Sequence, residues 1–129
     1  MILLDTHVLV WSQLRPNKLS RAAASAIRRA RATGGIAISV ITLVELATLL
    51  QRGRIALRGS VQATIQDIIA EVVVTPISVD IAVLTASFPP DFPSDPMDRI
   101  IAATARAEGI PLVTADERIL ACPLVKTIW

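Results

Sequence analysis

The chain has 129 residues, 53% of them hydrophobic, and a formal net charge of +2. This length suits one domain, residues 1–129, which can bury roughly two thirds of the surface that the unfolded chain exposes. The longest apolar stretch, 36–50, is interrupted by Glu45 and is shorter than the ~20 residues of a membrane span, and the N-terminus has no basic leader region, so we expect a cytoplasmic protein.

Short apolar runs alternate with helix-like patterns along the chain, which is typical of βαβ units and predicts a parallel sheet. The predicted strands are residues 2–4, 36–39, 72–75, 112–114 and 127–128. The predicted helices are residues 6–14, 21–32, 43–51, 60–70, 79–87 and 96–108.

Capping residues mark several of these helix boundaries. Ser20 and Ser78 are natural N-caps, Thr42 stands before the third helix, and the glycines at 34–35 end the second helix. Segment 88–94 is rich in proline and is predicted to be a loop. It leads into Asp95, an expected N-cap, and a helix that should end at Gly109.

Four of the 11 acidic residues lie where an apolar segment meets the start of a helix: Asp5, Glu45, Asp98 and Asp116. The carboxyl ends of parallel strands share one edge of a sheet, so Asp5, Glu45 and Asp116 should converge there. Asp98 joins them if the proline-rich loop carries the start of its helix to the same edge.

Each of these acids has an alternative interpretation as a helix cap. Thr42 to Glu45 matches a capping box, Asp95 to Asp98 resembles one, and Asp5 and Asp116 could cap the helices behind them. Capping does not explain several acids at one edge, because like charges at short range repel and need a cation. Carboxylate oxygens suit Mg²⁺ or Mn²⁺, which can promote phosphodiester cleavage.

The remaining polar and sulfur-containing candidates are weaker. Cys122 is expected to pack in the core, and His7 is expected to be a packed or surface side chain rather than a general base. Thr6 and Thr114 could orient a metal-bound water through their hydroxyls. Asp95 is a possible accessory ligand, although N-capping is the favoured role. The two tryptophans are expected to anchor the core or an interface.

Basic residues form two groups that could bind phosphates or simply be the solvated faces of helices. The first group is Arg15, Lys18, Arg21, Arg28, Arg29 and Arg31, and the second is Arg52, Arg54 and Arg58. With two Trp, two Phe and no Tyr, the chain is too poor in aromatic residues for a base-stacking platform, so contacts to a nucleic acid should run mainly through its backbone.

Four segments together resemble the PIN-domain ribonucleases, and in particular the VapC-like toxins of toxin-antitoxin modules. They are the strand ending at Asp5, residues 39–46 around Glu45, residues 95–105 around Asp98, and residues 111–116 ending at Asp116. Relatives often carry a His-Arg pair before the Asp-Pro dipeptide, whereas this chain has Pro93 and Ser94. RNA or antitoxin contacts made through that pair are therefore in doubt.

The resemblance implies an α/β, three-layer α/β/α PIN fold around a central, mainly parallel five-stranded sheet. It also implies a Mg²⁺- or Mn²⁺-dependent endoribonuclease whose metal and attacking water are held by Asp5, Glu45, Asp98 and Asp116. The implied partners are the RNA substrate, a VapB-like antitoxin lying over the active-site groove, and a second copy in a homodimer.

Two other functions remain as alternatives. The first is a catalytically degenerate PIN domain that binds RNA or a protein. The second is a Mg²⁺-dependent phosphatase, which would need a second Asp where this chain has His7.

Overall fold

A computed structural model describes all residues, 1–129. Its five strands are β1 (Ile2–Leu4), β2 (Ile36–Ser39), β3 (Val73–Thr75), β4 (Leu112–Val113) and β5 (Thr127–Ile128). They form one sheet in the order β3-β2-β1-β4-β5, and every neighbouring pair is parallel. The predicted parallel sheet is confirmed, although the third strand begins one residue later and the fourth ends one residue earlier than expected.

Seven helices connect and cover these strands. They are α1 (Thr6–Leu14), α2 (Arg21–Arg29), α3 (Ile41–Gln51), α4 (Val61–Ile68), α5 (Val79–Thr85), α6 (Pro96–Glu108) and α7 (Glu117–Leu120). The short α7 is the helix expected behind Asp116, whereas the 3₁₀ turn at Pro16–Lys18 was not predicted.

Several helix ends follow the predicted capping chemistry, but α3 begins two residues earlier than expected, and α4 and α5 each end two residues earlier. The Ser20 and Ser78 hydroxyls accept backbone N–H groups in the first turns of α2 and α5. Gly109 ends α6 with a φ of 65°, in the left-handed region that glycine adopts at little cost. Helix α2 was expected to reach residue 32, but beyond Arg29 it widens into a π-helical turn that closes with a hydrogen bond from Gly35 N to the Ala30 carbonyl.

Alternating side chains of the strands supply two cores, one on each face of the sheet. Ile2, Leu4 and Ile38 pack with residues of α1 to α4, whereas Leu3 and Leu112 pack with residues of α5 to α7. The architecture is therefore the expected three-layer α/β/α arrangement. The second core also contains Cys122, which confirms its packing role. None of the helices is long and apolar enough to cross a membrane.

The strand order reverses at β1, because β2 lies on one side of it and β4 on the other. In open α/β sheets, the crevice outside the carboxyl ends of the strands at such a reversal is the usual ligand site. Asp5 follows β1 directly, and Asp116 follows β4 after two residues. The topology thus places both side chains beside this crevice.

Candidate functional site

The four acids singled out in the sequence line one pocket of about 370 Å³ at the carboxyl edge of the sheet. Asp95 lines the same pocket, and no Lys or Arg does. The other lining residues are His7, Val8, Trp11 and Ala115. The fold therefore brings Asp5, Glu45 and Asp116 together, as expected from strand-end geometry, and Asp98 joins them at the same pocket.

Asp5 is the most buried of these acids, with 9% of its surface exposed. One carboxylate oxygen, Oδ1, accepts the Thr6 backbone N–H at 2.7 Å, and the other, Oδ2, accepts the Thr114 hydroxyl at 2.8 Å. Burial raises the pKa of Asp5, while the hydrogen bonds from Thr114 and Thr6 oppose that rise. Asp5 is thus both the N-cap of α1 and a wall of the pocket.

Glu45 is fixed by a hydroxyl of another helix. The Thr6 hydroxyl donates to Glu45 Oε1 at 2.7 Å, and the Thr42 hydroxyl lies 3.0 Å from that of Thr6. Since Thr6 has only one hydroxyl proton, Thr42 is the donor in the second bond. Burial raises the pKa of Glu45, and the Thr6 hydrogen bond lowers it.

The predicted capping box at Thr42 and Glu45 is therefore wrong. Helix α3 begins at Ile41, whose N–H is accepted by the Ser39 hydroxyl, so Thr42 lies inside the helix. Thr42 is fully buried and faces Thr6 rather than the helix end. The side chain of Glu45 is consequently free to face the pocket.

Asp116 caps α7 through Oδ1, which accepts the Arg118 and Ile119 backbone N–H groups at 2.9 and 3.4 Å. The Thr114 hydroxyl accepts the Asp116 N–H at 3.1 Å and so links this acid to Asp5. Arg118 Nε lies 3.9 Å from Asp116 Oδ1 in the chain's one salt bridge. Because the guanidinium is largely exposed, this pair neutralises little of the pocket's charge.

Asp98 differs from the other acids because its carboxylate makes no hydrogen bond. Burial, followed by repulsion from Asp5, Asp95, Asp116 and Glu45, raises its pKa to about 7. The Asp95 carboxylate caps α6 by accepting the Met97 N–H at 2.9 Å, as predicted. Asp98 does not complete a capping box with it, so its side chain is left to the pocket.

Hydrogen bonds from α6 hold the proline-rich loop next to the pocket. Arg99 Nε donates to the Pro93 carbonyl at 2.9 Å, and Nη1 donates to the Thr85 carbonyl at 3.3 Å. Within the loop, Phe88 and Phe92 are buried and stacked with 4.2 Å between ring centroids. The loop therefore carries the start of α6, and with it Asp98, to the same edge of the sheet as the other acids.

The expected water-orienting role of Thr6 and Thr114 needs correction. Both side chains are fully buried, and both hydroxyls donate to carboxylates, Thr6 to Glu45 and Thr114 to Asp5. They position the acids instead of a water. This positioning role was not predicted, although a Thr adjacent to Asp5 and another two residues before Asp116 were visible signals. Thr42 was assigned to a helix start and not to its contact with Thr6. His7 is exposed at the pocket wall, as expected of a surface imidazole.

The donor set fits a hard divalent cation. Nowhere in the chain do three His, Cys, Asp or Glu side chains already stand in a metal-binding arrangement. Mg²⁺ does not need one, because it retains several waters and takes only one or two carboxylates directly. Five carboxylates line this pocket without Lys or Arg, and the pKa of one of them is raised by burial and by repulsion from the others. A cation would stabilise such a site.

Known proteins resemble this chain in sequence and in fold. The chain is 37% identical to Ribonuclease VapC22 of Mycobacterium tuberculosis (strain ATCC 25618 / H37Rv), over 99% of this chain and 98% of that protein. Its fold resembles VapBC2 from Rickettsia felis bound to a promoter DNA fragment, with a TM-score of 0.75, 19% identity, and coverage of 98% of this chain and 97% of that one.

A second solved structure, the DNA-bound VapBC from Salmonella typhimurium, matches with a TM-score of 0.71 and 20% identity, again over 98% and 97% of the two chains. The PIN domain family model matches residues 2–122, which include all four acids at the pocket. The sequence match, the sheet order and the family match agree, and the chain belongs to the PIN-domain family as a relative of the VapC proteins.

Proposed function

We propose that this chain is a Mg²⁺- or Mn²⁺-dependent endoribonuclease and the toxin of a toxin-antitoxin module. The observation that carries the proposal is a pocket lined by five carboxylates and no Lys or Arg, in which burial and then mutual repulsion raise the pKa of Asp98 to about 7. The whole-chain similarity to a protein named a ribonuclease supports RNA as the substrate.

In this proposal Asp5, Glu45, Asp98 and Asp116 hold the metal and position the attacking water. A bound Mg²⁺ or Mn²⁺ would neutralise charge on the phosphodiester and lower the pKa of a water molecule. The buried hydroxyls of Thr114 and Thr6 keep the carboxylates of Asp5 and Glu45 in fixed orientations.

We also propose a VapB-like antitoxin as a protein partner, since the similar solved structures include VapBC complexes. A second copy is the other proposed partner. Val79 and Val83, one turn apart on α5, are 80% and 65% exposed, and we assign this apolar surface to a homodimer contact. RNA as substrate makes the cytoplasm the proposed location.

The cleavage proposal is tested by incubating the purified chain with RNA and Mg²⁺ or Mn²⁺, with and without EDTA. Asp5→Asn and Asp98→Asn should abolish cleavage, whereas Asp91→Asn, which changes an exposed acid outside the pocket, should not. Cleavage that persists in EDTA or in both pocket variants would refute the proposal.

The competing function is a degenerate PIN domain that binds without cutting. The absence of three preformed metal ligands is the observation in its favour. Calorimetry with Mn²⁺ separates the two, because a degenerate domain should show no binding that depends on Asp98.

A further inference from the structure

A second groove, of about 480 Å³, lies beside the acidic pocket. It runs between α1 and the segment that follows α3, and it shares His7 and Trp11 with the acidic pocket as lining residues. The two cavities are therefore neighbours, separated by no more than these two side chains.

Three cations line this groove: Arg15, Lys18 and Arg54. Arg15 and Lys18 belong to the first basic group of the sequence and Arg54 to the second, so the fold brings together charges that are far apart along the chain. All three side chains are exposed, and none forms a salt bridge, since the chain's one salt bridge joins Arg118 and Asp116. Their charge is therefore available to an anionic ligand.

Much of the groove's lining is apolar. Val10, Leu14, Leu49 and Ile55 line it together with the half-buried Trp11. The Lys18 ammonium lies 5.4 Å from the centre of the Trp11 ring. Cations above an apolar wall match a chain that alternates charged phosphates with flat apolar bases.

We propose that this groove, defined by Arg15, Lys18, Arg54 and Trp11, binds the single-stranded RNA segment next to the phosphodiester that enters the acidic pocket. The inference rests on the proposed function. Without a bound metal, five carboxylates repel phosphates at the pocket itself, so affinity for RNA then has to come from cations outside it. The groove supplies them at the pocket's own boundary.

RNA fits this surface better than an acidic protein segment does. The groove adjoins the pocket of carboxylates, where a metal ion would accept a phosphate of the same strand. An acidic peptide gains nothing specific from that neighbouring site. Trp11 offers an apolar surface on which one base can lie. The carboxylates of the acidic pocket offer no such surface.

The test is RNA binding measured by fluorescence anisotropy in EDTA, where cleavage does not interfere. The probe is a labelled, random-sequence, single-stranded RNA of about 12 nucleotides, titrated at several salt concentrations. The variant removes the groove charges by Arg15→Gln, Lys18→Gln and Arg54→Gln. Its matched control, Arg21→Gln, Arg28→Gln and Arg29→Gln, removes the same charge from exposed positions outside the groove.

We expect the groove variant to bind RNA at least roughly tenfold more weakly at low salt, and the slope of log K against log salt to fall by about 2, the value for three lost phosphate contacts on a single strand. The control should retain most of the wild-type affinity and slope. Equal losses of RNA affinity in both variants would overturn the proposal. Polyglutamate serves as the acidic-peptide probe, and a groove variant that loses polyglutamate binding but binds RNA like wild type would also overturn it.

Substitutions of Trp11 test the apolar part separately. Trp11→Leu should weaken RNA binding without changing the salt slope, because it removes no ionic contact. Trp11→Phe keeps an aromatic face and should retain part of the affinity. This difference between the two variants would show that the loss in Trp11→Leu comes from the missing aromatic ring and not from a folding defect. An unchanged affinity in Trp11→Leu would remove the base contact from the proposal. The wild-type chain could bind RNA through the groove and yet not cleave it in the presence of metal. That result would refute the proposed ribonuclease function and leave the RNA-binding role of the groove intact.

Discussion

The Thr114 hydroxyl donates a 2.8 Å hydrogen bond to Asp5 Oδ2, which joins the ends of two adjacent central strands inside the protein. Thr114→Val keeps the shape but leaves a buried carboxylate oxygen without its partner, so we expect a loss of about 1–3 kcal/mol in the free energy of unfolding. The pKa of Asp5 should rise further, and Mn²⁺ affinity should fall. Urea unfolding and calorimetry measure both effects. Thr114→Ser, which keeps the hydroxyl, should behave like wild type, and equal losses in both variants would contradict the positioning role.

Asp98 should make the metal-free protein less stable as the pH rises. Its pKa is about 7 in the folded chain against a reference value of 3.8, so the folded state binds the extra proton between these values. The stabilising contribution of the protonated Asp98 to the free energy of unfolding is complete below pH 3.8 and is lost as the pH passes through 7. Asp98→Asn should therefore stabilise the apo protein at pH 8 by about 1 kcal/mol, a figure reduced for solvent screening.

Thermal unfolding in EDTA between pH 4 and 9 is the measurement, with Asp91→Asn as the control for loss of a negative charge outside the pocket. Parallel pH profiles for wild type and Asp98→Asn would show that Asp98 is not perturbed.

Divalent metal should stabilise the wild-type chain because a cation offsets the repulsion among the pocket carboxylates. At about 100 times the dissociation constant the gain is about 2.7 kcal/mol. The melting temperature should rise with Mg²⁺ or Mn²⁺ and return to its starting value with EDTA. NaCl of equal ionic strength serves as the control, and an identical rise with NaCl would refute a specific site.

Arg99 should control the position of Asp98 through the proline-rich loop. Arg99→Gln removes the donors to the Pro93 and Thr85 carbonyls, so hydrogen exchange in the loop should accelerate and Mn²⁺ affinity should fall by roughly tenfold. Arg106→Gln is the matched control, because Arg106 lies over Phe88 and donates to Ser87 at the other end of the loop. If loop exchange accelerates without any change in Mn²⁺ binding, the loop does not position the acid.

The exposed valines of α5 should support a dimer. Val83→Glu places a charge on this apolar surface and should shift the chain to a monomer in light scattering, with an unchanged circular dichroism spectrum. Leu124→Glu alters another exposed apolar residue and should not change the assembly state. A dimer that survives Val83→Glu would place the contact elsewhere.

The fold was predictable because its signals are local and strong. Three strands begin and end as predicted, and Ser20, Ser78 and Asp95 cap the predicted helices. The convergence of Asp5, Glu45 and Asp116 followed from parallel strands sharing one edge, which is a property of topology. The ligand and catalytic roles of these acids remain predictions.

The hydrogen bonds within the site were harder to predict because they join residues distant in sequence. Thr6 meets Glu45, and Thr114 meets Asp5, only after the sheet has formed. The start of α3 was misplaced because Thr42 has a capping residue's chemistry but a buried tertiary partner. Arg15 and Arg54 likewise share a groove that no local pattern indicates.

The pairing of β1 with β4 has a consequence for when the pocket can exist. Asp5 and Glu45 come from the first half of the chain, whereas Asp98, Thr114 and Asp116 come from its last third. A growing chain that lacks β4 has neither Asp116 nor the hydroxyl that fixes Asp5, so the acids cannot assemble during the early stages of synthesis. The pocket can therefore form only after synthesis has passed β4 and Asp116.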